Sequence, residues 1–377
     1  MASVGDGGSV ILWQRLLEKP ASRGGNLEDV EGEECGEEFW QPICLHRTGD
    51  GTSDLYDIAW HPYLPYLVVA STDNSAHFLQ YQEASGCLKL LKVVKDHQHF
   101  CQGVAWDPHG QFVATASCDR SFKLILSLHN DDTQKMSIHA LGKVKGGEDE
   151  SVLSFFRRLA FTPDGAYLIL PGFLENGQKG IGLMHRNALH RSTATEVIPL
   201  PPSSKPVIAI RPHPMLFTSD APSGYRCIYA AIALDTLYIF DTRQHPKPLY
   251  IINGLHFGQL TDACWTSDGL RLILTATDGF CSVVTFQPED FCSEALSPEE
   301  QDEILSMRRE VAAVALSKRP QKQVKKKSVS LEKENIMEMS SDLLVSEKLD
   351  HVRIASESEK TTLPVKRKVT LLSQDLQ

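Results

Sequence analysis

Several kinds of sequence signal are absent from this chain of 377 residues. No run of apolar residues is long and uncharged enough to predict a membrane span. The N-terminus has neither the basic start nor the apolar stretch of a secretory signal. The nine cysteines include no CxxC pair. Their odd number and their scatter indicate free thiols in a reducing compartment rather than a disulfide framework.

Motifs that carry chemistry are also absent. The chain has no G-x-S-x-G, P-loop, dinucleotide-binding or zinc-protease motif. The histidines include one close pair, His97 and His99, but no cysteine or carboxylate cluster joins them at ligand spacing. The sequence therefore predicts no catalytic residue, no metal site and no cofactor, which indicates a protein that is not an enzyme.

The formal net charge is −10, which disfavours direct DNA binding because phosphate binding needs a basic surface. Residues 1–286 carry 31 acidic and 23 basic side chains, a difference of −8. The remaining 91 residues carry 17 acidic and 15 basic ones and are nearly balanced. The acidity therefore belongs to the first 286 residues, and basic partners suit that part of the chain.

A repeated pattern predicts the fold. It occurs at residues 56–62, 102–108, 158–165 and 261–269. Each copy is an apolar strand ending in an aromatic residue, followed by a Pro or Asp-Gly turn and a second apolar strand. Three copies continue into a turn built on an aspartate and then into a third strand; these aspartates are Asp73, Asp119 and Asp278. Strands joined by tight turns in this order form a meander.

The spacing of the copies indicates a β-propeller. Trp60, Trp106 and Phe161 are 46 and 55 residues apart, and Trp265 follows after 104 residues, which leaves room for a divergent unit. A period of about 50 residues is close to that of WD40 blades. Within residues 1–286 the sequence predicts an all-β WD40 propeller of five recognisable blades plus a partial N-terminal one. Structural roles within blades are predicted for His97, Ser117, Asp119, Asp73 and Asp278.

One segment is more specific than the general repeat. Residues 154–165 read Ser-Phe-Phe-Arg-Arg-Leu-Ala-Phe-Thr-Pro-Asp-Gly and include Phe155, Phe156, Arg157 and Arg158. Together with residues 96–108, 118–120 and 277–282, this segment resembles the middle, WD40 subunit of chromatin assembly factor 1. The resemblance extends from about Val4 to Phe286 and includes an acidic insertion at residues 28–38. Compared with the seven blades expected of that family, the resemblance implies either that the first one to two blades are lacking or that the ring closes with fewer blades.

The resemblance implies a function. It implies the scaffold subunit of a nuclear, three-subunit histone chaperone that deposits histones H3 and H4 in nucleosome assembly coupled to DNA replication and repair. The implied partners are the large subunit of chromatin assembly factor 1, histones H3–H4 and the anti-silencing function histone chaperone. The implied location is the nucleus.

Residues 287–377 have few aromatic residues and many charged ones, which is typical of a flexible, disordered tail. One helix is predicted at residues 298–316, because Ser297 to Glu300 form a capping box and apolar residues follow at helical spacing. These apolar residues are Ile304, Met307, Val311 and Val314. The helix is compatible with docking on the propeller, with docking on a partner and with forming only transiently.

Two basic segments of the tail are candidate recognition motifs. A nuclear import signal is predicted from the bases Lys318, Arg319, Lys322, Lys325, Lys326 and Lys327, although a merely solvated charge run remains the alternative. Residues 366–372 have the character of a peptide that adds a strand to another protein's sheet. The resemblance implies that this peptide binds the anti-silencing chaperone through Arg367, Lys368, Val369, Thr370 and Leu371.

A second class of function comes from a tetrapeptide, Phe240-Asp241-Thr242-Arg243. It resembles the box that some propellers present to a cullin adaptor, with Phe in the place of Trp. The alternative function is therefore a substrate receptor of a cullin-type ubiquitin ligase, and it depends on Arg243.

Overall fold

The structure is a computed structural model. It describes residues 1–16, 38–49, 51–130, 133, 135–147, 154–175, 177–189, 196–202, 204–220, 223–291, 294–317 and 370–371. In this part of the chain the strands form six antiparallel sheets, one of three strands and five of four. We number these sheets as blades 1 to 6 in chain order.

The strands follow one another around the blades in sequence. Blade 1 contains β1 (Ala2–Val4), β2 (Ser9–Leu16) and β3 (Phe39–Arg47). Blade 2 contains β4 (Leu55–Trp60), β5 (Tyr66–Ser71), β6 (Ser75–Gln82) and β7 (Cys87–Lys95). Blade 3 contains β8 (Cys101–Trp106), β9 (Phe112–Ser117), β10 (Ser121–Asn130) and β11 (Lys135–Lys145).

The second half of the chain repeats this arrangement. Blade 4 contains β12 (Ala160–Phe161), β13 (Tyr167–Glu175), β14 (Gln178–His185) and β15 (Glu196–Pro199). Blade 5 contains β16 (Val207–Thr218), β17 (Tyr225–Ala233), β18 (Thr236–Asp241) and β19 (Tyr250–Asn253). Blade 6 contains β20 (Leu260–Trp265), β21 (Arg271–Ala276), β22 (Cys281–Thr285) and β23 (Thr370–Leu371).

The connectivity gives the molecule two distinct ends. The first strands of neighbouring blades 2 to 6 contact one another and therefore lie innermost. In an antiparallel meander, the segment before the first strand and the turn between the second and third strands lie at the same end. We call this end the upper face. The turns between first and second strands lie at the opposite end, the lower face.

The all-β propeller is confirmed, but the predicted count of five blades plus a partial one is wrong. Residues 2–4 form a strand that pairs with β2, with Ala2 opposite Leu12 and Val4 opposite Val10. Together with β3 this gives blade 1 three strands, so that the structure has six blades. A strand of three residues is too short to show an alternating pattern, which is why the sequence did not predict β1.

Turns at the lower face connect neighbouring blades. The His109 Nε2 donates to the Asp164 carbonyl oxygen at 3.0 Å, and the His213 Nε2 donates to the Gly269 carbonyl oxygen at 2.9 Å. Gly165 has φ +66°, and a Cβ there would lie 2.7 Å from the His109 Nε2. The glycine of the Asp-Gly turn is therefore required both for its backbone conformation and for the close approach of the next blade's histidine.

The folded part continues beyond residue 286, where the sequence predicted its end. Phe291 is fully buried and packs against Phe286 and His213. Two backbone hydrogen bonds join β16 to residues 294–296. The Thr218 N–H donates to the Glu294 carbonyl oxygen at 2.9 Å, and the Leu296 N–H donates to the Leu216 carbonyl oxygen at 2.8 Å. A single buried phenylalanine and a short bridge suffice to hold this segment, although its composition is that of a tail.

A helix, α1 (Pro298–Ser317), lies against the lower face. Ser297 caps it, because the Ser297 N–H donates to the Glu300 carboxylate at 2.9 Å and the Glu300 N–H donates to the Ser297 hydroxyl at 3.3 Å. Ile304 and Leu305 pack against a small cluster on blade 5. The Arg308 Nε donates to the Tyr225 hydroxyl at 2.8 Å.

The docked face of α1 differs from the apolar face that the spacing predicted. Met307, Val311 and Val314 are exposed, whereas Ile304 packs on the propeller. The Arg309 guanidinium instead lies 3.9 Å above the ring of Tyr63 in blade 2. Polar and cation–π contacts decide the orientation, and apolar spacing does not report them.

Replacing Ser297 by alanine is expected to destabilise α1 by about 1 kcal/mol, because both capping hydrogen bonds are lost or weakened. Amide hydrogen exchange within 298–312 measures this as faster exchange, while exchange in β17 stays unchanged. Ser297→Asp, which retains an acceptor at the cap, is the matched control. Equal exchange rates in the wild type and the alanine variant would contradict this account of the helix start.

Candidate partner-binding face

Four phenylalanines are exposed on the upper face. Phe100, Phe155 and Phe257 precede the first strands of blades 3, 4 and 6, and Phe280 lies in the turn between β21 and β22. Phe155 is 69% exposed and Phe257 is fully exposed. Large apolar side chains grouped at one end of a protein are typical of a surface that another protein covers.

Phe155 belongs to an aromatic cluster. The Tyr56 ring lies 6.1 Å from the Phe155 ring and 6.4 Å from the Phe156 ring, edge-to-face in both cases. The Arg158 guanidinium lies 4.0 Å above the Phe156 ring. The cluster joins the start of blade 2 to the segment before blade 4, so the segment predicted from the sequence is part of the upper face.

Backbone contacts fix this segment in place. The Arg157 N–H donates to the Gln102 carbonyl oxygen at 3.2 Å. Arg158 lies beside blade 5, where its N–H donates to the Ile208 carbonyl oxygen and its carbonyl oxygen accepts from the Ile210 N–H, both at 2.8 Å. A side chain at Gly103 would collide with the Arg157 carbonyl oxygen. Arg157 itself is buried.

The Arg158 side chain is part of a group of four charged residues in the middle of the propeller. Its Nη1 lies 2.5 Å from the Asp262 carboxylate of blade 6, and its Nε lies 3.8 Å from the Asp57 carboxylate of blade 2. Arg211 of blade 5 donates to both oxygens of Asp262, at 2.9 and 2.8 Å. Burial raises the pKa of Asp57, against the opposing effects of the Val104 N–H and Arg158. The sequence did not single out Asp57, Arg211 or Asp262.

The structure brings His97, Ser117 and Asp119 together in blade 3. The His97 Nδ1 lies 3.3 Å from the Asp119 carboxylate and its Nε2 lies 2.7 Å from the Thr115 hydroxyl. The Ser117 hydroxyl donates to the His99 carbonyl oxygen at 2.9 Å and accepts from the Asp119 N–H at 3.0 Å.

The two ionisable groups of this network have shifted pKa values. Burial lowers the pKa of His97 to about 4, although Asp119 opposes this shift. Burial also disfavours the Asp119 carboxylate, but hydrogen bonds from Ser121 and the Gln98 N–H outweigh it and hold the pKa of Asp119 below its ordinary value. A neutral histidine beside a fully hydrogen-bonded carboxylate fits a structural role, which stays a prediction.

Blade 6 contains a second histidine–aspartate pair, which the sequence did not predict. The His256 Nδ1 lies 3.2 Å from the Asp278 carboxylate, which also accepts from the Phe257 N–H at 3.1 Å. His256 precedes Asp278 by 22 residues, the same separation as between His97 and Asp119, and this spacing was the available signal. In blade 2, Asp73 instead accepts from the Ser75 N–H and lies 3.1 Å from the His77 Nε2.

The remaining predicted site residues lie at the edge of the described part or outside it. The six predicted import residues from Lys318 to Lys327 are outside the described residues, as are Arg367, Lys368 and Val369. Thr370 and Leu371 form β23, which pairs with Val283 and Ser282 of β22. Two residues of the predicted chaperone peptide therefore form the fourth strand of blade 6.

The ubiquitin-ligase alternative depends on Arg243, and the side chain of this residue makes hydrogen bonds within the propeller. Its Nη2 donates to the Tyr225 carbonyl oxygen at 3.2 Å and contacts the Ser223 hydroxyl. Asp241 of the same tetrapeptide forms a buried ion pair with Arg226, and Phe240 is fully buried. This tetrapeptide holds the end of β18 in place.

No group of three or more His, Cys, Asp or Glu side chains in the described ranges is arranged to hold a metal ion. Within those ranges, no helix is long and apolar enough to cross a membrane. The described residues bring together an aromatic upper face and a partly buried group of four charged side chains.

Comparison with known proteins agrees with the resemblance carried by residues 154–165. A family model described as the CAF1B/HIR1 beta-propeller domain matches residues 1–291. A chromatin assembly factor 1 subunit of Gallus gallus is 30% identical over 322 residues, which cover 77% of this chain and 54% of that protein. The corresponding subunit of Mus musculus is 30% identical over 340 residues, covering 82% of this chain and 56% of that protein.

A plant protein gives a similar match. The chromatin assembly factor 1 subunit FAS2 homolog of Oryza sativa is 30% identical over 318 residues, covering 77% of this chain and 58% of that protein. The matches thus span just over half the length of these three relatives. None of the three bears a ubiquitin-ligase name, so the alternative function is not favoured. The predicted resemblance is confirmed, and the chain belongs to the CAF1B/HIR1 β-propeller family.

Proposed function

We propose that this protein is a scaffold subunit of a histone chaperone complex that deposits histones H3–H4 in nucleosome assembly coupled to DNA replication and repair. It acts in the nucleus and performs no reaction of its own. Its contribution is to bind several partners at once, which raises their effective concentrations for one another. Its family membership and the names of its relatives support this proposal.

The main structural observation that supports the proposal is the exposed aromatic upper face. Phe155 and Phe257 lie on segments fixed by hydrogen bonds, the first next to Arg157 and Arg158 and the second through its own N–H, which donates to Asp278. Their exposure is therefore a property of the folded surface. Rigid aromatic anchors of this kind contribute most of the binding energy in protein interfaces. We assign this face to the large subunit of the complex.

Charge supports the proposed histone partner. Residues 1–286 have eight more acidic than basic side chains, counted as 31 against 23, and the insertion at residues 28–38 is strongly acidic. An acidic surface attracts the basic segments of histones by long-range electrostatics. For the same reason we propose no direct contact between this propeller and DNA.

The C-terminal segment supplies the other proposed contacts. Residues 366–372 bind the anti-silencing function histone chaperone as an added strand, through Arg367, Lys368, Val369, Thr370 and Leu371. The six bases between Lys318 and Lys327 serve as the nuclear import signal. The pairing of Thr370 and Leu371 with β22 supports the view that this segment takes up strand geometry.

Recovery of partners from nuclear extract tests the proposal. The full chain is expected to recover the large subunit and the anti-silencing chaperone. Phe155→Asp combined with Phe257→Asp is expected to reduce recovery of the large subunit by about tenfold or more, because two anchors become charged. Val369→Ala combined with Thr370→Ala is expected to remove only the anti-silencing chaperone.

The matched control is Ile251→Asp, which charges an exposed apolar residue on the outer strand of blade 5. This variant is expected to recover both partners like the wild type. If the folded wild-type chain recovers neither partner, the proposed function is wrong. If the upper-face variant recovers as much large subunit as Ile251→Asp does, the assignment of that face is wrong.

A further inference from the structure

The helix α1 turns a defined side toward the lower face of the propeller. The Arg308 Nε donates to the Tyr225 hydroxyl of blade 5 at 2.8 Å, and Ala312, one turn further along, is buried. The Arg309 guanidinium lies 3.9 Å above the Tyr63 ring of blade 2. Contacts with two blades therefore fix which side of α1 faces the propeller and which side faces outward.

The outward side of α1 carries an apolar row. Met307, Val311 and Val314 have exposed fractions of 57%, 61% and 49%. Residues four or seven positions apart share one side of a helix, so these three side chains lie in line. At about 100° per residue, Met307 and Val314 point roughly 140° and 160° away from the buried Ala312. We call these three residues the α1 stripe.

The charge around the α1 stripe is negative. The helix has five acidic side chains, all of them exposed: Glu299, Glu300, Asp302, Glu303 and Glu310. Glu303 precedes Met307 by four residues and Glu310 precedes Val314 by four, so both carboxylates border the stripe. The helix sequence contains two bases, which are the two arginines that contact the propeller. The outward side is therefore apolar with an acidic border.

The shape and charge of this surface restrict what can cover it. A row of side chains at helical spacing forms a ridge, and such a ridge fits into the groove between two side-chain rows of another helix. Acidic residues on that second helix would be repelled by Glu303 and Glu310, whereas basic ones would pair with them. The surface thus selects a partner by its shape and by the sign of its charge.

We propose that the α1 stripe binds a basic amphipathic helix of a partner protein. The apolar side of that helix packs on Met307, Val311 and Val314, and its lysines or arginines lie opposite Glu303 and Glu310. The propeller contributes by holding α1 in place, so that the stripe is already formed before the partner binds. The surface lies on the outer side of α1, away from the upper face, and the inference does not depend on the proposed function.

Two synthetic peptides of about 18 residues, long enough to form a helix, test the proposal on the full chain. One contains Leu and Lys with the leucines at helical spacing, and the other has the same composition in a scrambled order that forms no apolar side. The net charge of −10 attracts both peptides alike, because they carry the same charge. Fluorescence anisotropy is expected to show the amphipathic peptide binding about tenfold more tightly than the scrambled one.

Two variants of α1 separate the apolar contribution from the charged one. Met307→Gln combined with Val311→Gln removes apolar surface at constant charge and is expected to weaken binding of the amphipathic peptide by about tenfold. Glu303→Gln combined with Glu310→Gln removes two carboxylates and is expected to weaken it by about fivefold at low salt. All four positions are exposed, so both variants are expected to fold.

The matched controls make the same kinds of change outside α1. Ile251→Gln replaces an exposed apolar residue on the outer strand of blade 5. Glu196→Gln combined with Asp235→Asn removes two exposed carboxylates, one from the outer strand of blade 4 and one from a turn of blade 5. Both controls are expected to bind the amphipathic peptide like the wild type.

Three results would overturn the proposal. The first is that the folded wild type binds both peptides equally, or that the α1 variants bind like their controls. The second is that light scattering shows a dimer of the wild type and a monomer of the Met307→Gln/Val311→Gln variant, in which case a second copy of this chain covers the stripe. The third is that replacing the six bases between Lys318 and Lys327 by glutamine tightens peptide binding, in which case the chain's own basic segment competes for the stripe.

Discussion

Replacing Arg158 by alanine is expected to lower the free energy of unfolding by about 2 kcal/mol, which urea denaturation followed by tryptophan fluorescence can measure. Arg158 is the one described side chain that reaches both Asp57 of blade 2 and Asp262 of blade 6. Its loss leaves the partly buried Asp57 carboxylate, whose side chain is 15% exposed, without a partner at ion-pair distance. The pKa of this carboxylate is already raised by burial. A carboxylate that loses its ion-pair partner in a largely desolvated position costs stability, although Asp57 still accepts from the Val104 and Ile58 N–H groups.

A second substitution separates the charge effect from lost packing. In the Arg158→Ala/Asp57→Asn double variant, the unpaired charge is absent, so a substantial part of the lost stability is expected to return. Arg211→Ala is the comparison for Asp262, since it removes the two hydrogen bonds that would otherwise hold that carboxylate. If the double variant is no more stable than Arg158→Ala alone, the charged group does not link the blades as described.

The fold was predictable where the repeated pattern is local. An aromatic strand end followed by an Asp-Gly turn encodes two strands and their connection within about ten residues, so blades 2, 3, 4 and 6 were recognisable. The turn glycines also explain why the pattern persists, because Gly165 must adopt a positive φ and accommodate His109. The first blade was predicted only as a partial one, because β1 has three residues and a long insertion separates β2 from β3.

The site was predictable only in part. His97 and Asp119 were found because their residue types and order are typical of a blade. Asp57, Arg158 and Asp262 lie far apart in sequence and meet only because the first strands of blades 2, 4 and 6 surround one axis. No local pattern reports such a contact. For the same reason the sequence could not distinguish exposed apolar strand residues such as Leu45 and Ile273 from buried ones. Their exposure depends on which sheet packs against them and not on their own segment.

The second large predicted effect is a loss of folding stability at acidic pH. Burial lowers the pKa of His213 from 6.5 to about 4, and it lowers the pKa of His97 to about 4 as well. Both side chains are almost fully buried, and His213 is held neutral because its Nδ1 accepts from the Met215 N–H at 3.0 Å while its Nε2 donates to Gly269. In the unfolded chain the same imidazoles bind a proton near pH 6.5.

The direction of the pH effect follows from these pKa values. Between about pH 6.5 and about pH 4 the unfolded state holds more protons than the folded state, so acid stabilises the unfolded state. The stability that neutral His213 contributes is therefore complete above about pH 6.5 and is lost as the pH falls toward 4. At pH 5 the loss is roughly 2 kcal/mol for each of the two histidines.

His97 and His213 together are accordingly expected to make the free energy of unfolding roughly 4 kcal/mol lower at about pH 5 than at about pH 7.5, measured by urea denaturation at both pH values. His61 and His245, whose pKa values burial also lowers to about 4, add to this decrease. His213→Gln isolates one of these contributions. The glutamine amide can accept from the Met215 N–H and donate to the Gly269 carbonyl oxygen, but it does not titrate. The pH dependence of this variant is expected to be smaller by about 2 kcal/mol. An unchanged pH dependence would mean that His213 is not held neutral, and that the lower-face contact with Gly269 does not have the stabilising role described for it.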